Sequence, residues 1–402
     1  MTPDERRASG SLSLVFAARM LGLFLVLPVF ALEAARYPGG GDPVLVGLAM
    51  GIYGLTQGLL QIPYGMASDR FGRKRVILLG LAVFAAGSFL AAAADSVWWL
   101  IVGRSLQGAG AVSAAVTALL ADQTRDQVRT KAMALVGASI GLMFAVSLVA
   151  SPVVARWIGL SGLFALTGVL ALACMAVVAW WTPPEPAAHA NPPKGRLAEV
   201  LRYAPLLRLN VGVFVLHAVQ LAMWVALPGL LVQAGLDKDS HWMVYLPAIT
   251  AAVAVMAATL FPLERRGYLR AVFLASIGLL LLAQLGFAVL AGQPAVWPLG
   301  LVLFVFFIGF NVLEATQPSL ASRLAPAHAR GAALGVYNTL QSLGFFAGGA
   351  VGGWLAKHVG DAGLFAACAG ALLLWLVVAW PMRAPGRSPS PEEVLADEAR
   401  AT

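Results

Sequence analysis

Gly65-Met-Ala-Ser-Asp-Arg-Phe-Gly-Arg-Lys-Arg75 is the stretch that decides how the chain folds. It separates two apolar runs, 44–67 and 76–94, and is too short for a domain but long enough to reverse the chain. Gly72 supplies the backbone freedom that a sharp turn needs. Arg70, Arg73, Lys74 and Arg75 put four cations in the turn, the mark of a loop held on the cytoplasmic side of a membrane. A topology-setting basic loop accounts for the cations. It does not account for Gly65, Asp69 and Gly72 at this spacing.

The whole chain agrees with a membrane setting. It is 60% hydrophobic and 11% charged, with a mean hydropathy of +0.82. Soluble domains are about 25% charged. Apolar runs of about twenty residues span a bilayer core, and in hydrocarbon they must be helical to satisfy their own backbone. The net charge of +8 does not point to nucleic acid, because the cations lie in short loops and form no basic domain. Cys174 and Cys368 each fall inside an apolar run, with neither metal-ligand nor disulfide spacing. The first apolar run carries Arg19 and is too long for a signal peptide, so it is expected to stay as the first span.

Twelve spans are expected near 12–33, 44–67, 76–94, 97–121, 131–155, 161–181, 209–233, 242–263, 270–291, 296–322, 330–356 and 361–382. Residues 182–208, with Pro183, Pro184, Pro186, Pro192 and Pro193 and then a basic part of four cations, form a linker between an N-terminal bundle (1–181) and a C-terminal bundle (209–382). The tail 383–402 is polar and expected to be disordered. With both termini inside, twenty-one Lys and Arg fall in cytoplasmic segments, against Arg36, Arg156, Lys238 and Lys357 outside. That asymmetry fixes the expected orientation.

The halves repeat each other. Leu27-Pro28 and Glu33-Ala34 match Leu227-Pro228 and Gln233-Ala234 at an offset of 200. Arg129, Ala132, Phe144, Arg156 and Gly162-Leu-Phe-Ala165 match Arg330, Ala333, Phe345, Lys357 and Gly363-Leu-Phe-Ala366 at an offset of 201. Glu264-Arg-Arg-Gly267 is a worn copy of Asp69-Arg-Phe-Gly72. Parallel repeats of this kind are what many secondary transporters use for alternating access.

Gly-x-x-x-Asp-Arg-x-Gly-Arg-Lys resembles the signature loop of the major facilitator superfamily, between its second and third helices. The resemblance implies an all-α membrane protein of two pseudo-symmetric six-helix bundles. It also implies a cytoplasmic latch of Gly65, Asp69, Arg70, Gly72, Arg73, Lys74 and Asp122. Asp69 would cap the amino end of span 11, and Arg73 would bridge to Asp122, fastening the halves when the cavity faces outward. The ordinary alternative for Asp122 is a solvated loop acid. Gly103-Arg-Ser-Leu-Gln-Gly-Ala-Gly-Ala111 resembles the superfamily's fourth-helix motif, in which the arginine influences proton transfer. The antiporter motif on span 5 is poorly kept: Ser147 and Ser151 replace glycines and the final glycine pair is missing. This departure weakens antiport more than it weakens the fold. Within the superfamily, several stretches resemble the YajR-type efflux proteins of bacteria. They are Leu23-Phe24, Gln107-Gly108, Arg129-Thr-Lys-Ala-Met133, Leu216-His217 and Phe310-Asn311 with Leu313-Glu314-Ala315. Those proteins add a soluble ferredoxin-like domain after helix 12. Twenty residues follow Met382, so regulation through such a domain is not expected.

A charged side chain in hydrocarbon costs about 2.5–3.5 kcal/mol on insertion scales and persists where it meets water, a partner or a substrate. Arg19, Arg104 and Glu314 stand clear of the helix ends, and His217 is a fourth ionisable candidate. They fall on spans 1, 4, 10 and 7, which line the central cavity in the superfamily. Asn311, Glu314 and Gln317 share one face of span 10, and His217, Gln220 and Trp224 one face of span 7. Gln107, Asn338 and Gln341, with Gln57 and Gln61, complete the polar set. For the amides, inter-helix hydrogen bonding is the ordinary role. For His217 it is a neutral ring with two hydrogen bonds, and for Glu33, at the outer end of span 1, a solvated interfacial charge. A carboxylate is costly glue, so Glu314 is the first-choice proton site.

No phosphate-binding glycine loop, metal cluster or nucleophile–base pair is readable, so neither an ATP-driven pump nor an enzyme is expected. The expectation is a secondary transporter of the bacterial inner membrane, both termini cytoplasmic, working as a monomer. It would export a small organic solute, with protons as the coupling ion and no cofactor beyond the proton gradient. A proton-coupled importer of a small metabolite, with an anion among the candidates, is the first alternative. A receptor or assembly factor on a transporter scaffold is the second.

Overall fold

The computed structural model describes residues 1–185, 197–326 and 329–382. The expected tail and most of the expected linker lie outside these residues. Among the described residues the regular structure is helical, with no strand, as a chain in hydrocarbon requires.

Among the described residues, nine helical segments are long and apolar enough to cross a membrane. Two of them, Lys131–Trp181 and Gly331–Ala379, each contain two spans and reverse at Gly159 and Gly360, where φ is 63° and 71°. Contacts with span 1 follow the reversal. Ser139 and Ser151 donate to the carbonyls of Ser13 and Leu25, but Thr167 and Cys174 donate to those of Gly22 and Val15. A further span is divided into Val97–Ala109 and Ser113–Asp122. Counting each pair twice and adding the divided helix gives the twelve expected spans. The two reversal glycines are 201 residues apart, the same offset as the sequence repeat.

Some boundaries differ from expectation. Span 1 begins at Pro3 rather than residue 12, because Thr2 and Glu5 form a capping box that starts the helix in polar sequence. It is interrupted at Leu27–Val29, beside Pro28, before the short helix Phe30–Ala34. Span 7 starts at Ala204, preceded by the helix Leu197–Arg202, so the end of the expected linker is helical.

The two halves meet along spans 2 and 11. A Cβ on Gly47, Gly51 or Gly54 would meet the carbonyl oxygens of Gly349, Phe346 and Ser342 at 2.2, 2.7 and 2.3 Å. Only glycine lets the backbones approach this closely. Beyond Gly58, which faces Leu343 and Thr339, the contact ends. Gly331 and Gly335 have no neighbouring atom within 4 Å at the place of a Cβ. The halves are therefore joined at the end remote from the basic loops and part toward the basic end.

Charge reinforces the joined end. Lys238 pairs with Glu33, Lys357 with Asp42 at 2.9 Å, and Arg156 with Asp239 at 3.7 Å. All three pairs cross between the halves. Arg36 adds a contact of 3.3 Å to Glu33. All four cations expected in the outer loops are thus engaged at this closure. Glu33 corrects the expectation of a solvated charge: it is only 4% exposed and is held between Lys238 and Arg36. Among the described residues, no ion pair at the basic end crosses between halves; Arg125–Glu5, Arg73–Asp122 and Arg323–Glu264 each lie within one half.

Reversing one charge in Asp42→Lys should raise the population with the remote end open about three- to fivefold, the scale of an exposed ion pair. Asp42→Lys with Lys357→Asp should restore closure. Spin-label distances across the remote end measure both; equal distances in all three proteins contradict the pairing. The Lys357 hydrogen bond, followed by that of the Val44 amide, holds the Asp42 carboxyl below the usual carboxylate range. The pair's contribution to closure is therefore present at neutral pH and fades only as pH falls through that lowered value. A pH series of the same distances checks this.

Candidate functional site

Where the halves part, a polar layer crosses the interface. Arg19, 3% exposed, donates to Ser113 Oγ and Tyr53 Oη at 2.7 Å each and to Gln57 Oε1 at 3.1 Å. Its guanidinium also lies 5.5 Å from the Phe84 ring centre. Gln57 in turn donates to Ser342 Oγ of the other half at 3.0 Å, and Ser342 donates to the Asn338 carbonyl at 2.9 Å. Spans 1, 2, 4 and 11 are joined through these groups.

The neighbouring residue on span 11, Gln341, approaches His217 Nε2 at 2.8 Å. His217 Nδ1 lies 2.8 Å from the Val213 carbonyl, which can only accept, so Nδ1 carries a hydrogen. In a neutral ring Nε2 then presents a lone pair. Glu314 Oε2 stands 3.2 Å from that nitrogen. That lone pair faces the Gln341 amide nitrogen, and Glu314 Oε2 has no hydrogen-bond partner of its own. Gln341 and Glu314 thus converge on one nitrogen of His217. Glu314 is 37% exposed on its side chain, which connects the pair to the opening, and His217 is wedged edge-on against Phe345 and Phe310.

Other expected site residues lie elsewhere. Arg104 donates to the carbonyls of Ala49 and Met50 and to Gln107, and Gln107 donates to Ser88 at 2.8 Å. Both are buried within the N-terminal half, where they tie spans 2, 3 and 4 together. Trp224 is fully buried, edge-on to Tyr245 in the C-terminal half. Gln220 and Gln317 are also buried, with Gln220 Oε1 and both amide atoms of Gln317 unpartnered. Asn311, half-buried, has its Nδ2 unpartnered on the same span as Glu314. No sequence pattern marks Tyr53, Ser113 and Ser342, hydroxyls that become significant only through the groups they meet.

A second cluster occupies the signature loop. Gly72 has a φ of 97°, which leads Pro43–Phe71 into Arg73–Ala92. Arg73 reaches Asp69 at 2.5 Å, Ser68 at 2.7 Å and Asp122 at 3.1 Å. Arg70 lies over the Phe71 ring, and the Gly65 carbonyl accepts from Ser68. Asp69 thus pairs with Arg73 four residues on, within the loop. The cap on span 3 comes from elsewhere: Glu185 accepts the Arg73 and Lys74 amides at 3.0 and 2.5 Å. A carboxylate at a helix amino end satisfies free amides and complements the helix dipole. Lys74 Nζ donates to the Thr182 carbonyl at 2.6 Å and Gln123 to that of Pro183 at 2.8 Å, so the exit of span 6 is bound to the loop. Sequence reasoning passed over Glu185 because it stands among prolines, 112 residues from its partner.

The sequence profile of the Major Facilitator Superfamily matches residues 12–349 and 211–401. The inner membrane transport protein YajR of Escherichia coli (strain K12) is 42% identical over 99% of this chain and 89% of its own length. The multidrug resistance protein MdtH of Proteus mirabilis (strain HI4320) is 27% identical over 84% of each chain. Among solved structures, the human organic anion transporter MFSD10 superposes with a TM-score of 0.70 at 18% identity, covering 94% of this chain and all of that one, a likeness of fold alone. The joined and parting halves, the signature loop and these relatives lead to one conclusion: the chain belongs to the Major Facilitator Superfamily of membrane transporters.

Proposed function

We propose that this protein is a proton-coupled secondary transporter that exports a small organic solute across the bacterial inner membrane by alternating access. The observation that supports the reading is the carboxylate of Glu314 held 3.2 Å from the His217 ring within the spans, with its side chain partly exposed where the halves part. The positive-inside rule sets the basic end in the cytoplasm, so the structure corresponds to the cytoplasm-facing state.

In that state Glu314 releases its proton toward the basic end while solute enters the same opening. Rocking of the halves breaks the three remote ion pairs and closes the basic end. There Asp69 becomes free to meet the amino end of span 11, while Arg73 and Asp122 keep span 2 tied to span 4. The layer then faces outward, solute leaves, and a proton from the outer solution returns to the pair. Glu314 carries the proton beside the His217 ring, and Gln341 holds the imidazole in place. Arg104, bound to span 2, acts through the rigidity of its bundle. The relatives named for transport and multidrug resistance agree with export. The same geometry can run as import, and vesicles with the gradient imposed in each direction separate the two.

A thermal-shift panel of metabolites and antibiotics supplies candidate solutes. For any that moves under a pH gradient in proteoliposomes, Glu314→Gln should abolish gradient-driven accumulation while leaving solute exchange and melting temperature near wild type. Full gradient-driven accumulation in that variant removes Glu314 from the mechanism. His217→Gln should retain exchange and lower gradient-driven accumulation, because it alters the ring that Glu314 faces. Unaltered accumulation in that variant removes His217 from the coupling.

A further inference from the structure

We infer that the central layer binds a small organic anion, a carboxylate or sulfonate on an aromatic body, with Arg19 as its charge partner. The inference rests on the reading of this layer as the transport site and adds the class of solute.

Arg19 is a buried cation whose partners, Ser113, Tyr53 and Gln57, are all neutral, and its Nε has no partner. Among the described residues no carboxylate lies within ion-pair distance of it. The acids of the N-terminal half, such as Glu5, Glu33, Asp42, Asp69 and Asp122, stand at helix ends, away from the middle of the spans. A second buried cation, Arg104, lies 5.2 Å over the same Tyr53 ring whose hydroxyl accepts from Arg19, and it too lacks a carboxylate. Across the interface the acid within the spans is Glu314, beside His217 rather than beside Arg19. The two buried arginines, Arg19 and Arg104, therefore outnumber the acid of the spans facing them. A charge held out of water calls for an opposite charge with good geometry, and a guanidinium offers a carboxylate or sulfonate two parallel donors.

Gln57 marks where the anion goes. Its amide oxygen accepts from Arg19 while its amide nitrogen reaches Ser342 in the other half. It is a neutral side chain in the bridging position that a bound carboxylate would take, and with Ser113 it is half-buried at the margin of the layer. Aromatic side chains of both halves meet beside His217. Phe144 packs against Phe24 at 5.1 Å and, across the interface, against Phe310 at 6.0 Å, and Phe310 borders His217.

The test is equilibrium binding to the purified full-length protein with three ligands of one shape: naphthoate, naphthamide and naphthylmethylammonium. Naphthoate should bind at least about tenfold more tightly than either of the others, the scale of a charge-assisted bidentate contact. Gln57→Glu supplies a permanent carboxylate beside Arg19; it should raise the melting temperature and erase the preference. Arg19→Gln should erase it as well, and Arg19→Lys should retain a weaker form, because a lysine keeps the charge but not the fork. Several results overturn the assignment: undetectable naphthoate binding at millimolar concentration, equal or tighter binding of the ammonium, or an undiminished preference in folded Gln57→Glu protein. Binding is measured at one pH with no gradient, so it can succeed or fail independently of proton-driven transport. Failure of proton coupling and failure of anion recognition are therefore separate outcomes.

Discussion

Hydrocarbon does not solvate charge, and that constraint organises the structure. Each ionic group within the spans has either a close set of donors and acceptors or a route to water. Arg104 is surrounded by carbonyls of span 2, and Glu33 lies between two cations at the remote end. Arg19 and the Glu314–His217 pair differ. Their partners bridge the two halves or open toward the parting, so their satisfaction depends on how the halves stand. A group whose solvation changes with conformation is a group through which a proton or solute can drive conformation.

The two ends of the interface use different physics. At the remote end, glycines on spans 2 and 11 bring backbones into contact, and ion pairs from otherwise sparse outer cations lock the rim. Each exposed pair contributes little alone, which suits a closure that must open in every cycle. At the basic end, the ion pairs among the described residues stay within a half. The signature loop, the exit of span 6 and the end of span 4 form one rigid block through Arg73, Glu185 and Gln123. That block can move as a unit when the halves rock.

Much of this was legible in the sequence. Hydropathy and the Lys and Arg asymmetry gave twelve spans, and the 201-residue repeat recurs in the backbone at Gly159 and Gly360. The Arg73–Asp122 bridge followed from the signature loop. What escaped was tertiary. Glu33 looked solvated because its partner Lys238 is 205 residues away. Arg104 and Glu314 looked alike as buried charges, yet one is enclosed by its own bundle and the other faces the parting. Span 1 began earlier than its apolar run because a capping box, rather than hydropathy, starts that helix.

The central claim is that the Arg19–Gln57–Ser342 layer lies in a chamber reached from one side of the membrane at a time. It is tested most directly by placing a single cysteine at Ser342, with Cys174 and Cys368 replaced by alanine, and labelling with a membrane-impermeant thiol reagent from each side. Labelling should come from the basic side in the otherwise unaltered protein, and from the remote side once Asp42→Lys and Glu33→Gln weaken the closure. Labelling from neither side, or from the same side regardless of those pairs, would contradict the account.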